Sequence, residues 1–270
     1  MRGGIKICRY ARGVRSLHTV PKLTNVSRLS KEGIPRILSG KGFDIAWNQY
    51  QLSMVNRLNL AVAGTALESM FPFHILLKTA RDRHQAHIFN LASGLHNNHL
   101  FMENIIPGAT TEGPSSLFLE KVRESFDGKS WDVVKEEMLE QSLTGCLGQG
   151  WLFLVEREDK RLESMICHNN GTPYYFGRNQ MLDLNSSVTL AEFTHWEDMK
   201  SVIRDSSKGK LKEKNVVKDW TIPLICINLG DVAYLNDYGI LKRREYVKNC
   251  LDNLNWSVIN NRLYSSTSSL

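Results

Sequence analysis

An α+β fold is predicted by three changes of pattern along the 270 residues. Apolar residues keep helical spacing before Gly150, and short, continuous apolar runs follow it. Helical spacing returns from Arg243 to the end. A helical half followed by a mixed half predicts an N-terminal helical hairpin domain, then a small antiparallel sheet with flanking helices.

In chain order, Leu52, Val55, Leu58 and Val62 place a helix between Phe43 and Leu67. Phe71-Pro72 ends it, because proline lacks an N–H and restricts the residue before it. Phe73 to Ile105 reads as a second long helix, stopped before Pro107-Gly108, and the two make the hairpin. A loop, Gly108 to Ser115, leads to helices over Leu117 to Phe126 and Trp131 to Leu143. The turn Asp127-Gly128 separates them, and Ser130 stands at the N-cap of the second. Trp151 to Val155 reads as a strand buried on both faces, and Trp220 to Asn228 as another. Between them, Ser164 to His168 and Tyr174-Tyr175-Phe176 read as short strands, and Arg204 to Lys218 as a charged loop. Helices over Arg243 to Leu251 and Trp256 to Tyr264 precede a Ser/Thr tail. The expected divisions are residues 1–31, 32–108 and 109–270, with an expanded segment at 156–219.

The formal charge of +6 is not spread evenly. Eight Lys/Arg precede the first carboxylate, Glu32, and the remaining 26 bases meet 28 acids, a net of −2. The opening MRGGIKICRYARGVRSLHTVPKL is acid-free, with Arg9, Arg12 and Arg15 at three-residue spacing among apolar residues. That is the composition of a mitochondrial transit peptide; a basic arm binding RNA is the alternative. No apolar run nears the roughly 20 residues of a spanning helix. Cys8, Cys146, Cys167, Cys226 and Cys250 form no CxxC pair, which argues against a zinc ribbon or a disulfide framework and suits small buried hydrophobes.

Four segments, MVNRLN (54–59), NNHLFMENI (97–105), TGCLGQGWLFLV (144–155) and REYVKNCLDNLNW (244–256), occur in the order in which they occur in the iron/manganese superoxide dismutase family, which the chain resembles. The resemblance implies one redox metal held by three His and one Asp. Matching residue by residue puts those four positions at Ala46, Asn98, Asn228 and Val232. Ala and Val carry no donor, and Asn offers a neutral oxygen that offsets no cationic charge. The family's gateway Tyr matches Met54, its gateway His matches Tyr50, and its solvent-binding Gln matches Leu147. No catalytic residue, metal or cofactor is therefore expected. His96, His99 and Glu103, at i, i+3 and i+7 of a helix, are the alternative donor set and read as polar-core or surface residues, as do His84 and His87. The glycines of TGCLGQGW are expected where backbone packs tightly, with Trp151 and Trp256 in the core.

A mitochondrial address and a vacant ligand set resemble the metal-free dismutase-like proteins of fungal mitochondrial small ribosomal subunits. The implied function is a structural part of that subunit in the mitochondrial matrix, contacting other small-subunit ribosomal proteins and no membrane. An active dismutase with atypical ligands and a non-ribosomal mitochondrial scaffold are the rivals. The enzymes' interface Glu and Tyr match Asp231 and Leu235, which points to a heterodimer with a second dismutase-like chain. Limited contact with the ribosomal RNA backbone is expected at Lys208, Lys210, Lys212 and Lys214 and at Lys242, Arg243 and Arg244.

Overall fold

The computed structural model describes residues 18–108, 112–174 and 221–267. The chain enters through a short helix, α1 (Val26–Glu32), whose Leu29 is buried. The His18 backbone N–H donates to Asn59 Oδ1 at 2.8 Å, and Asn59 Nδ2 returns a bond to the His18 carbonyl. Within the expected basic arm, His18 and Leu29 are thus buried against the rest of the fold.

The first hairpin helix is continuous from Gly40 to Val62 in three stretches: α2 (Gly40–Phe43), a π-helical segment (Asp44–Gln49) and α3 (Tyr50–Val62). Val55, Leu58 and Val62 are buried as their spacing predicts, whereas Leu52 is 53% exposed. The expected second helix is broken: α4 (Pro72–Thr79) and α5 (Ala86–Ile105) flank a corner containing a 3₁₀ turn (Arg83–Gln85). Asp82 makes the break, accepting the His84 N–H at 2.9 Å as a cap. The α3, α4 and α5 faces enclose a core of Met54, Val55, Leu58, Ile75, Leu76, Phe89 and Leu95.

Two further helices, α6 (Ser116–Ser125) and α7 (Trp131–Thr144), fall where predicted. Ser115 caps α6 through the Phe118 N–H, whereas Ser130 occupies the cap position of α7 without a side-chain bond. The sheet has order β2-β1-β3, all antiparallel, from β1 (Gly150–Arg157), β2 (Leu162–His168) and β3 (Thr221–Asn228). Phe153 faces Met165 on one side and Cys226 on the other. Pairing of β1 with β3 shifts between Leu154 and Val155, opposite the step from Ile225 to Pro223; proline cannot supply a ladder N–H. Asn104 of α5 takes the backbone groups there, donating to the Leu224 carbonyl and accepting the Cys226 N–H. The expanded segment begins with an ordinary hairpin, since β1 runs on to Arg157 and β2 returns alongside it. Tyr174 is not in a strand, and residues 175–220 lie outside the described residues. Thr221 Oγ1 donates to the Pro173 carbonyl at 2.7 Å, so the two described ends that flank residues 175–220 stand together.

A helix that the spacing did not predict, α8 (Asp231–Tyr238), follows β3, and then come α9 (Arg243–Asp252) and α10 (Trp256–Thr267). The main core lies between the sheet and the C-terminal half of α5, α7, α9 and α10, and includes Phe101, Phe118, Trp151 and Tyr246. Cys146, Cys167, Cys226 and Cys250 are free and buried, as small hydrophobes are; Cys8 lies outside the described residues. Among the described residues no helix is long and apolar enough to cross a membrane.

Candidate functional site

Ala46 lies on the π-helical segment, Asn98 on α5, Asn228 at the end of β3 and Val232 in the first turn of α8. Ala46, Asn98 and Asn228 are buried and joined by hydrogen bonds. Asn98 Nδ2 donates to the Ala46 carbonyl at 3.0 Å, and Asn228 Nδ2 donates to Asn98 Oδ1 at 3.3 Å. The Gly230 N–H donates to Asn228 Oδ1 at 2.8 Å, and the Tyr246 hydroxyl donates to the Asn228 carbonyl at 2.8 Å. Both amide oxygens are thus occupied by N–H donors. The set contains no imidazole and no carboxylate, so these residues do not fit a manganese or iron ion, and no redox step follows from them.

The surroundings are rebuilt in the same sense. Met54 is buried, and Gly94 lets α5 come close to it: a Cβ there would stand 2.7 Å from Met54 Cε and 3.0 Å from the Tyr50 hydroxyl. Burial pushes the Tyr50 phenol up to about 12. Leu147 is 90% exposed on the loop before β1.

The alternative donors turn to separate partners. His96 Nε2 meets the Tyr174 hydroxyl at 2.8 Å. Burial first, then the nearby His99 and Arg262, holds the His96 imidazole down at about 3, so it is neutral. His99 Nε2 lies 3.5 Å from Glu103 Oε1. Burial lowers the His99 imidazole more than Glu103 raises it. Glu103 Oε2 is bound by Arg262 Nη2 at 2.8 Å, and Arg262 Nη1 also reaches Asn104 and the Leu224 carbonyl. Among the described residues no three His, Cys, Asp or Glu side chains are grouped to hold a metal.

Of the expected RNA contacts, Lys208, Lys210, Lys212 and Lys214 lie outside the described residues. At the start of α9, Arg244 is held by Glu136 and Glu140 of α7, and Lys242 lies 3.6 Å from Glu245. Arg243 reaches the Gly148 carbonyl at 3.3 Å and lies over the Tyr234 ring.

Asp231 and Leu235, at the enzymes' interface positions, share a surface that the spacing did not reveal. The Asp231 carboxylate is bound within the chain, by Gln149 Nε2 and the Tyr234 hydroxyl, each at 2.9 Å. Leu147, Leu235, Ile240 and Leu241 are exposed, Leu241 at 96%. The Gln149–Asp231 and Arg243–Gly148 bonds hold the Leu147 loop against α8 and the α8–α9 connection. The one sequence signal was an apolar pair, Ile240-Leu241, set directly before a basic run.

The chain matches the model of the iron/manganese superoxide dismutase C-terminal domain over residues 197–262. It is similar to the small ribosomal subunit protein mS43 of Schizosaccharomyces pombe, 30% identical over 257 residues covering 92% of this chain and 85% of the relative. It is 25% identical to the small ribosomal subunit protein mS42 of the same organism over 198 residues, 72% of this chain and 74% of that one. An iron superoxide dismutase of Leptolyngbya boryana is 26% identical over 151 residues, 56% of this chain and 73% of the enzyme.

Proposed function

We propose, from the premise that this chain belongs to the dismutase-like family of the small ribosomal subunit protein mS43, that it is a structural component of the mitochondrial small ribosomal subunit without an enzymatic role. The amide pair in the place of a metal carries the reading. Asn98 and Asn228 close on each other and on the Ala46 carbonyl, so the centre of the dismutase fold holds the chain together and offers no ligand set. The likeness to mS43 and mS42 along most of each chain supports the ribosomal setting.

Residues 1–31 carry a mitochondrial transit peptide and basic arm, and the protein works in the matrix. Residues 32–108 form the hairpin half and 109–270 the sheet half. The exposed apolar surface around Leu147, Leu235 and Leu241 pairs with a second dismutase-like chain rather than with its own copy, a choice supported by an Asp231 carboxylate that is satisfied within the chain. Backbone contacts with ribosomal RNA fall to Lys208, Lys210, Lys212 and Lys214, and to Lys242, Arg243 and Arg244. Exposed ion pairs such as those of Lys242 and Arg244 contribute little and exchange readily for phosphate.

Gradient sedimentation of a mitochondrial lysate tests the proposal. The tagged protein is expected to travel with the small subunit; a protein left at the top of the gradient overturns the ribosomal reading. Metal analysis of the purified chain is the second arm. Stoichiometric manganese or iron together with superoxide dismutation overturns the non-enzymatic reading.

A further inference from the structure

The outer face of α4 has a composition unlike the rest of the body. Its inner residues Ile75, Leu76 and Thr79 are buried in the hairpin core. His74 and Lys78 are exposed on the helix, with exposed Phe71 at its N-cap and exposed Arg81 just past its end. The corner that follows adds exposed Arg83, His84 and His87.

Bases outnumber acids along this stretch. Between Glu68 and Glu103 stand Lys78, Arg81 and Arg83 against one acid, Asp82, whose carboxylate accepts from the His84 N–H and from Gln85 Nε2 at 2.9 Å each. Lys78 Nζ lies 4.0 Å from Met70 Sδ, which brings the ammonium toward the Phe71 end of the helix. Phe71 is 74% exposed, and its ring centroid lies 6.1 Å from that of His74. A free aromatic face beside a row of cations suits a base stacked on a ring with its phosphates on the cations.

We propose that the outer face of α4 and its corner bind a single-stranded RNA segment, Phe71 stacking on a base while Lys78 and Arg83 contact phosphates. The proposal rests on the ribosomal reading above and supplies a contact site on the hairpin, away from the pairing surface. Charge complementarity selects the occupant, since residues 69–102 carry a net +2, Lys78, Arg81 and Arg83 against Asp82, in a body of net −2.

The test measures binding of a labelled twelve-nucleotide oligouridylate to the full chain by fluorescence anisotropy at several salt concentrations. Phe71→Ala is expected to weaken binding roughly tenfold. The double variant Lys78→Glu/Arg83→Glu is expected to flatten the slope of log affinity against log salt by about 1.4, at roughly 0.7 per phosphate on a single strand. All three side chains are exposed, and thermal unfolding of each variant checks that the fold is kept. Unchanged affinity and slope in both variants overturn the proposal. Equal binding of a twelve-residue polyglutamate, with no loss on Phe71→Ala, also overturns it and assigns the face to an acidic protein segment. Sedimentation of the unmodified chain separates the two failures. If it is absent from the small subunit, the ribosomal reading fails; if it is present while the variants bind normally, the RNA face alone fails.

Discussion

Replacing Asn98 by alanine removes the link at the centre of the fold. The Ala46 carbonyl loses its 3.0 Å donor and Asn228 Nδ2 loses its 3.3 Å acceptor, both out of reach of solvent. A buried polar group left unpaired costs about 1–3 kcal/mol, so two of them cost about 2–6 kcal/mol. Asn228→Ala strands Asn98 Oδ1 and the Gly230 N–H, with a similar expected cost. The double variant removes Asn228 Nδ2 and Asn98 Oδ1 together and leaves only the Ala46 carbonyl and the Gly230 N–H unpaired, so it is expected to cost less than the sum of the singles by about 2–3 kcal/mol. Urea unfolding followed by tryptophan fluorescence gives the three values, Trp47 and Trp151 being buried nearby reporters. A loss under about 1 kcal/mol for Asn98→Ala, or strict additivity in the cycle, would refute the claim that this amide pair holds the former metal position closed.

Other surfaces and groups give equally direct expectations. Leu241→Glu should leave stability within about 0.5 kcal/mol of the parent, as exposed substitutions do; co-purification should show loss of the second dismutase-like chain, and retained pairing would remove this surface from the interface. His96 is neutral in the fold at about 3 and protonates near 6.5 when unfolded, so the native state binds fewer protons. Its contribution is complete above pH 6.5 and is lost as pH falls toward 3, at up to about 1.4 kcal/mol per unit. His96→Gln should therefore be less acid-sensitive by about 2 kcal/mol at pH 5; parallel urea midpoints for the two proteins between pH 7 and 5 would contradict this. Gly150→Ala places a Cβ 2.7 Å from Cys146 Sγ and 2.9 Å from the Cys167 carbonyl, and should cost about 1–3 kcal/mol. Gly148→Ala meets no atom within 4 Å and should be close to neutral; thermal midpoints of the pair test the contrast.

Periodicity and punctuation carried most of the fold. Val55, Leu58 and Val62 mark the hairpin because a helix shows one apolar stripe, and Trp151 to Val155 marks a strand because both its faces are covered. The α4–α5 break was not legible, since Asp82 acts through a cap geometry that apolar spacing does not report. Helix α8 was missed for a related reason: DVAYLNDY buries only Ala233 and Tyr234, too little to show a period. TGCLGQGW was half explained. Gly145 and Gly150 stand against Ile166 and Cys146, whereas Gly148 faces open space. Part of the candidate site was legible, because matching motifs named Ala46, Asn98 and Asn228, which hydrogen bonds join in the fold. What fills it was not, because hydrogen bonds among Asn98, Asn228 and Ala46 join residues up to 130 positions apart. The exposed Leu147 and Leu241 were equally silent, since exposure is a property of the packed surface and not of the run of letters.

The bond between Thr221 Oγ1 and the Pro173 carbonyl has a consequence for the sheet as a whole. It joins the first residue of β3 to the turn that follows β2, two strands that lie on opposite sides of β1 and share no ladder. Tyr174, next along the chain from Pro173, carries the tie on to His96 of α5. Two hydroxyl groups thus clasp both edges of the sheet to the helix behind it, so that sheet and hairpin are held as one unit at this corner.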